Sequence, residues 1–175
     1  MKRHLILVGL PGSGKTTVGR LLLKLRSTDF TDFTDVDEAV EMKTGRSIAQ
    51  LFAESGEREF RRLERAAMDR VLAGPPGLIA AGGGWMAEPG NLTSAREQGA
   101  WIVYLRVSPE VAATRLGAAA GRPLLAGGDP AARLRALLAA RESWYLQADA
   151  QVDAAGDPAA VVALIMQAWE NRAPQ

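Results

Sequence analysis

The chain has 175 residues, close to the size of one compact domain, and its 47% apolar and 23% charged residues suffice for a globular core. A formal net charge of +1 supplies no overall field that points to nucleic acid or to a membrane surface. Cysteine is absent, which excludes disulfides, thiolate zinc sites and cysteine nucleophiles, and the single histidine, His4, cannot build a metal cluster alone.

Met1 to His4 followed by Leu5 to Leu10 imitates a signal peptide, but the apolar run is short and Pro11-Gly12-Ser13-Gly14-Lys15 interrupts it. No stretch approaches the roughly 20 apolar residues that cross a bilayer, so a cytoplasmic protein with no membrane partner is expected. Separately, a monomer is expected. Leu5-Ile6-Leu7-Val8 predicts a strand buried on both faces, with His4 before it in a structural role. A glycine-rich turn follows, then a helix with Val18, Leu21, Leu22 and Leu25 at helical spacing. Asp32 to Asp37 reads as a short second strand. Ile48, Leu51 and Phe52 mark a short helix ending at Ser55-Gly56. A longer one runs from about Glu57 to Leu72, with Phe60, Leu63, Ala67 and Val71 as its buried stripe.

Gly74-Pro75-Pro76-Gly77 stops that helix, and Leu78 to Ala81 is an apolar strand running into Gly82-Gly83-Gly84. Trp101 to Leu105 is the clearest later strand, and Pro109 opens the next helix. Gly117 to Gly128 is loop-like. After it come a helix over about Pro130 to Leu146, a weak strand near Gln151-Val152 and a last helix over about Pro158 to Trp169. Alternating strands and helices imply a parallel sheet covered on both faces, a three-layer α/β/α domain.

Gly9-Leu10-Pro11-Gly12-Ser13-Gly14-Lys15-Thr16 matches G-x-x-x-x-G-K-[ST] between a strand and a helix. Glycines let successive N–H groups face an anion, and the helix N-terminus adds partial positive charge. Lys15 suits the β- and γ-phosphates and the Thr16 hydroxyl suits Mg²⁺. Asp35 and Asp37 stand at the predicted end of the second strand, where alternation turns both carboxylates one way, one for the metal and one for an acceptor hydroxyl. A plainer alternative makes Asp37 the cap of a helix beginning at Glu38. Because Leu78 to Ala81 carries no terminal acid, Asp35 takes the magnesium role.

Arg58, Arg61, Arg62 and Arg65 share one helix face opposite the apolar stripe. That pattern is either a solvated face partnered by Glu57, Glu59 and Glu64, or a source of a bidentate arginine for a substrate carboxylate. Gly82 to Gly84 place bare backbone at the carboxyl end of the sheet, where α/β proteins bind ligands. Arg122 reads as a lid residue or as an exposed loop arginine. No aromatic residues interleave with a basic patch, which disfavours nucleic acid.

Taken in order, Gly9 to Thr16, Thr34 to Asp37, Thr44 to Ile48, Gly56 to Glu64, Gly82 to Gly84, Arg122 to Leu125 and Arg141 resemble the shikimate kinase family over nearly the whole chain. The resemblance implies a P-loop NTPase fold of the nucleoside monophosphate kinase type, with a five-stranded parallel sheet. One domain over 1–175 would contain an acceptor-binding region near 37–65 and a lid near 117–128. It implies MgATP-dependent phosphorylation of the shikimate 3-hydroxyl, on the route to chorismate and the aromatic amino acids. By that resemblance Lys15, Asp37 and Arg122 are catalytic, and Gly12, Ser13, Gly14, Lys15, Thr16, Thr17, Arg115 and Arg122 bind the nucleotide. Asp37, Phe52, Phe60, Arg61, Gly82, Gly83, Gly84 and Arg141 would hold shikimate, with Thr16 and Asp35 serving Mg²⁺.

Two departures stand out: Trp85 follows the glycines where the family has a small residue, and Asp153 to Pro158 is short and lacks a basic residue beside adenine. Trp85 is expected to pack in the core. The rivals are a kinase of another small acid such as gluconate, and a nucleotide-binding regulatory protein without catalysis. The second would have eroded at least one of Lys15, Asp37, Arg61, Arg122 or Arg141, and all are present.

Overall fold

The computed structural model describes residues 4–26, 29–117 and 128–172. Five parallel strands, β1 (Leu5–Val8), β2 (Phe33–Asp35), β3 (Leu78–Ala80), β4 (Trp101–Arg106) and β5 (Ala150–Asp153), form one sheet in the order β2-β3-β1-β4-β5. β1 sits at its centre, with Leu5 and Ile6 paired to Leu78 and Ile79 on one side and to Trp101 and Ile102 on the other. That position explains its uninterrupted apolar run, since both faces of Leu5 to Val8 are buried.

Among the described residues seven helices connect and cover the strands: α1 (Lys15–Leu25), α2 (Val36–Thr44), α3 (Ile48–Leu72), α4 (Asn91–Glu97), α5 (Pro109–Leu116), α6 (Pro130–Tyr145) and α7 (Pro158–Glu170). α1 packs against α7 and β3, α2 against α3, and α5 against α6. Phe30 and Trp101 close on Trp169, their ring centroids 5.3 and 5.4 Å away, which ties α7 to the sheet. His4 is buried and structural as expected: Nε2–H donates to the Leu72 carbonyl at 3.1 Å and Nδ1 accepts from the Gly77 N–H at 3.2 Å. Burial holds its pKa below the ordinary histidine value.

Several boundaries differ from the sequence reading. β2 stops at Asp35, and α2 begins at Val36 rather than at Glu38. Asp35 itself is the N-cap, so strand alternation does not set the direction of the Asp37 carboxylate, and Asp37 is not the cap. β3 ends at Ala80, one residue early. A single turn of 3₁₀ helix over Trp85–Ala87 and the short α4 were both unforeseen; neither carries a strong period in sequence. The break expected at Gly56 is present, where φ 78° and ψ 171° interrupt the helical path of α3. Val71 is half-buried, while Met68 and Leu72 complete the buried stripe. Trp85 is buried in the core.

Because all strands run one way, their carboxyl ends share one edge. Leu7 and Asp35 both pair with Ala80, which brings the turns after β1, β2 and β3 together. No helix among the described residues is long and apolar enough to cross a membrane.

Candidate active site

The turn after β1 curls through Gly12 and Gly14, at φ 80° and 93°, a conformation that glycine adopts at little steric cost. Its back rests on α5: a Cβ at Gly12 would lie 2.5 Å from the Ala112 carbonyl oxygen. Lys15 Nζ donates to the carbonyls of Gly9 and Leu10 at 3.0 and 2.9 Å and to Ser13 Oγ at 3.4 Å, so the ammonium is held inside the loop it serves. The Thr16 hydroxyl donates to Asp35 Oδ2 at 2.5 Å. A cavity of about 140 Å³ opens here, bounded by Lys15, Thr16, Thr17, Asp35, Asp37 and Gly83.

On the other flank of the loop a second cavity, about 280 Å³, is lined by Ser13, Thr17, Arg115, Ala154 and Pro158. Arg115 crosses it, donating to the carbonyls of Ala155 and Gly156 at 2.8 and 3.2 Å and to that of Ser13 at 3.5 Å. The short segment after β5 thus meets this arginine through its backbone.

The acceptor side contains the main correction. Arg58, Arg62 and Arg65 are exposed, and Arg62 pairs with Glu59 at 2.6 Å, as a solvated face would. Arg61 is not on that face; its side chain is 12% exposed. The 3₁₀ turn after the triple glycine packs on that flank of α3 and removes it from water. Glu64, read as a surface partner, is 1% exposed. Arg61 donates from Nη1 to Glu64 Oε2 at 2.7 Å and from Nη2 to Glu57 Oε1 at 3.2 Å, while Glu88 Oε1 is 3.8 Å from Nε. Its guanidinium lies 5.1 Å from the Phe60 ring centre, and Phe60 packs on Phe52 at 5.0 Å. Burial pulls the Arg61 pKa down, and the carboxylates of Glu64 and Glu57 more than offset it.

Burial pushes the Glu64 carboxyl up to about 7; Arg61 opposes the shift, and the charges of Asp37 and Glu88 add to it. Glu64 Oε1 is buried without a hydrogen-bond partner among the described residues. It faces the same spot as Asp37 Oδ1, because a Cβ on Gly82 would run into Glu64 Oε1 and lie 3.2 Å from Asp37 Oδ1. A Cβ on Gly84 would be 2.5 Å from Arg61 Nη2, and one on Gly83 would be 3.4 Å from Arg141 Nη1. Three bare residues after β3 thus leave room for charged side chains from α2, α3 and α6 to reach one place. From behind, the Tyr145 hydroxyl donates to the Gly83 carbonyl, and Tyr104 stacks on Tyr145 at 4.9 Å. Burial raises the Tyr145 phenol to about 12, which keeps it a neutral donor at physiological pH.

Asp35, Asp37, Arg61, Arg141, the three glycines and the phosphate loop are therefore gathered around one edge, with Phe52 and Phe60 behind Arg61. Arg122 and the Pro123-Leu124-Leu125 run lie outside the described residues. The sequence reading missed Glu64 and Tyr145, though each carried a signal. Glu64 stands four residues after Phe60 on the apolar stripe, and Tyr145 stands four after Arg141 on the same helix. The described residues hold no cluster of three or more potential metal-binding side chains. A hydroxyl and a carboxylate oxygen meeting beside the phosphate loop fit magnesium nonetheless, because that ion takes few protein oxygens and completes its shell with phosphate and water.

A phosphate loop on the central strand, an acidic turn beside it and an arginine-bearing bay over the next strand define a P-loop kinase acting on a small anionic alcohol. The family profile described as shikimate kinase matches residues 11–170. Shikimate kinase of Mycobacterium tuberculosis strain H37Ra is 43% identical over 171 residues, covering 97% of this chain and 94% of that one. The chain belongs to the shikimate kinase family. Among solved structures, shikimate kinase from Acinetobacter baumannii in complex with shikimate superposes with a TM-score of 0.85 at 31% identity, over 97% of this chain and 96% of that one. A gluconokinase from Sinorhizobium meliloti shares the fold at TM-score 0.63 and 16% identity, over 97% of this chain and 92% of that one.

Proposed function

We propose that this chain transfers the γ-phosphoryl group of ATP to the 3-hydroxyl of shikimate, giving shikimate 3-phosphate and ADP on the cytoplasmic route to chorismate. The observation that carries the reading is the convergence of Asp37, Arg61 and Arg141 on Gly82 to Gly84, beside the cavity that holds Lys15 and Thr16. Shikimate is a carboxylate with several hydroxyls. Two arginines match its carboxylate, and the glycine backbone can approach its ring.

Phosphoryl transfer asks the protein for alignment and charge stabilisation more than for covalent chemistry. Asp37 accepts a hydrogen bond from the attacking hydroxyl, orients it and takes its proton as the new P–O bond forms and the bond from the γ-phosphorus to the bridging oxygen of the leaving ADP breaks. Lys15 leaves the carbonyls of Gly9 and Leu10 to meet the γ-phosphoryl oxygens, where negative charge is spread in the transition state. Arg122 adds a second cation from the lid. Thr16 and Asp35 would hold a magnesium ion, whose charge would screen the phosphate oxygens. Arg115 covers the adenine side of the loop. The gluconokinase likeness shows the fold alone, and the combination of Asp37 beside Gly82 with Arg61 beside Gly84 favours shikimate over that rival.

A coupled ADP-release assay with MgATP and either shikimate, gluconate or no acceptor tests the assignment. Release that requires shikimate, with product phosphorylated at the 3-hydroxyl, is expected; folded, ATP-binding protein without shikimate-dependent release sinks it. Arg61→Ala removes a charge-assisted bidentate donor and should raise the shikimate KM by the equivalent of about 1.5–3 kcal/mol. An unchanged KM would remove Arg61 from the acceptor site.

Glu64 sets a pH dependence of binding. A bound carboxylate raises the Glu64 pKa beyond about 7, so binding takes up a proton and shikimate affinity falls as pH rises through 7 and above. In the free protein the raised pKa acts in the same sense. The contribution of Glu64 to stability is full below its unfolded value of 4.5 and is lost as pH rises through about 7. Isothermal titration at pH 6, 7 and 8 in buffers of different ionisation enthalpy reads the proton directly; binding without proton exchange at pH 7 would contradict this account.

A further inference from the structure

The Asp35 carboxylate faces two ways. Its Oδ2 accepts from the Thr16 hydroxyl at 2.5 Å, in the first turn of α1 under the phosphate loop. Its Oδ1 accepts from the backbone N–H groups of Asp37 and Glu38, at 3.0 and 3.3 Å, as the N-cap of α2. The backbone at Asp35 is extended, φ −86° and ψ 120°, as a capping residue requires. One short side chain therefore joins the nucleotide half of the site to the residue that holds the acceptor hydroxyl.

We infer that Asp35 is a positioning residue for Asp37, fixing the first turn of α2 by its cap, and that this role is independent of any metal. The inference rests on the reading of Asp37 as the acceptor-binding carboxylate. α2 has nine residues, and only Val36 and Val40 anchor it in the core, so the turn that carries Asp37 depends on its cap for direction. Without the cap, the freed N–H groups compete for the Asp37 carboxylate, which stands in the same turn, and draw it from the bay. The bond to Thr16 fixes the other end of the strut, so that a change at the phosphate loop is felt at the acceptor.

The test is shikimate binding to the full-length protein, free of nucleotide and metal, by isothermal titration. Asp35→Ala loses the cap and should weaken shikimate binding by about five- to tenfold, the scale of one lost N-cap. Asp35→Asn and Asp35→Ser keep a capping oxygen and should stay within about twofold of the parent, although their MgATP-dependent turnover falls. Parent-like shikimate binding by Asp35→Ala overturns the inference, as does Asp35→Asn binding as weakly as Asp35→Ala, which would assign the effect to charge. If Asp35→Ala does not fold, the other two decide: retained binding in both supports the strut, and weakened binding in either overturns it. A parent protein that binds no shikimate would instead sink the acceptor assignment beneath it.

Discussion

Lys15→Ala should lower kcat by about 10²- to 10³-fold, the scale of one lost transition-state donor, and leave nucleotide-free shikimate binding unchanged. The ammonium is partly buried and satisfied by the loop carbonyls of Gly9 and Leu10, so the folded protein already holds a cation inside the phosphate loop. The loop N–H groups and the start of α1 remain after the change, and they keep a weakened hold on the nucleotide. Loss in kcat thus exceeds loss in ATP affinity, because the charge that Lys15 meets grows during transfer. Single-turnover phosphorylation at saturating MgATP measures it. A variant that retained more than about a tenth of the parent rate would place the γ-phosphoryl stabilisation elsewhere, with Arg122 first in line.

The phosphate side was legible because its chemistry is local. Gly9 to Thr16 form one contiguous turn, and the spacing of Gly, Lys and Thr encodes the geometry directly. Strand and helix order followed from the same kind of signal: Leu5 to Val8 and Trp101 to Leu105 are unbroken apolar runs, and the central sheet buries both. The acceptor side was legible as a set of residues and misread as geometry. A single helix wheel assigns Arg61 to the same face as Arg58 and Arg65. It contains no trace of the 3₁₀ turn, 24 residues further along at Trp85, that covers one flank of α3. Glu64 was legible in principle, since an acid inside the Phe60, Leu63, Ala67 stripe conflicts with burial unless a partner is close. Arg61, three residues earlier, is that partner.

Asp35 and Asp37 do line one cavity beside Lys15, and only the strand geometry expected to put them there fails, for a different reason. Period-two alternation describes a strand, and three residues are too few to show where a strand yields to a helix. Aspartate is favoured at the N-cap, and Asp35 combines that preference with its place beside Thr16. The cap hypothesis was right in kind and two residues late. Local conflict and functional use thus coincide at this turn, as they do at Glu64, because the site needs carboxylates where the fold would be simpler without them.

Gly82→Ala carries the second large effect, and it separates space from backbone conformation. Gly82 is not in the left-handed region, so alanine meets no φ penalty there. Its methyl group alone acts, driving into Glu64 Oε1 and lying 3.2 Å from Asp37 Oδ1. Glu64 cannot swing into water, because it is buried and bound to Arg61 at 2.7 Å. Both carboxylates and the guanidinium must shift together, and a displacement near 1 Å at reacting groups costs about 10²-fold in rate. Shikimate kcat/KM should therefore fall by about that factor, while the melting temperature falls by only the few degrees of a modest overpacking. Glu64→Asp withdraws the obstructing carboxylate by one methylene. Combined with Gly82→Ala it should recover part of the loss, so that the double variant exceeds the product of the two single effects. Strictly multiplicative losses would mean that the methyl acts on something other than Glu64, and a Gly82→Ala enzyme of parental kcat/KM would show that the bay after β3 is not where the acceptor sits.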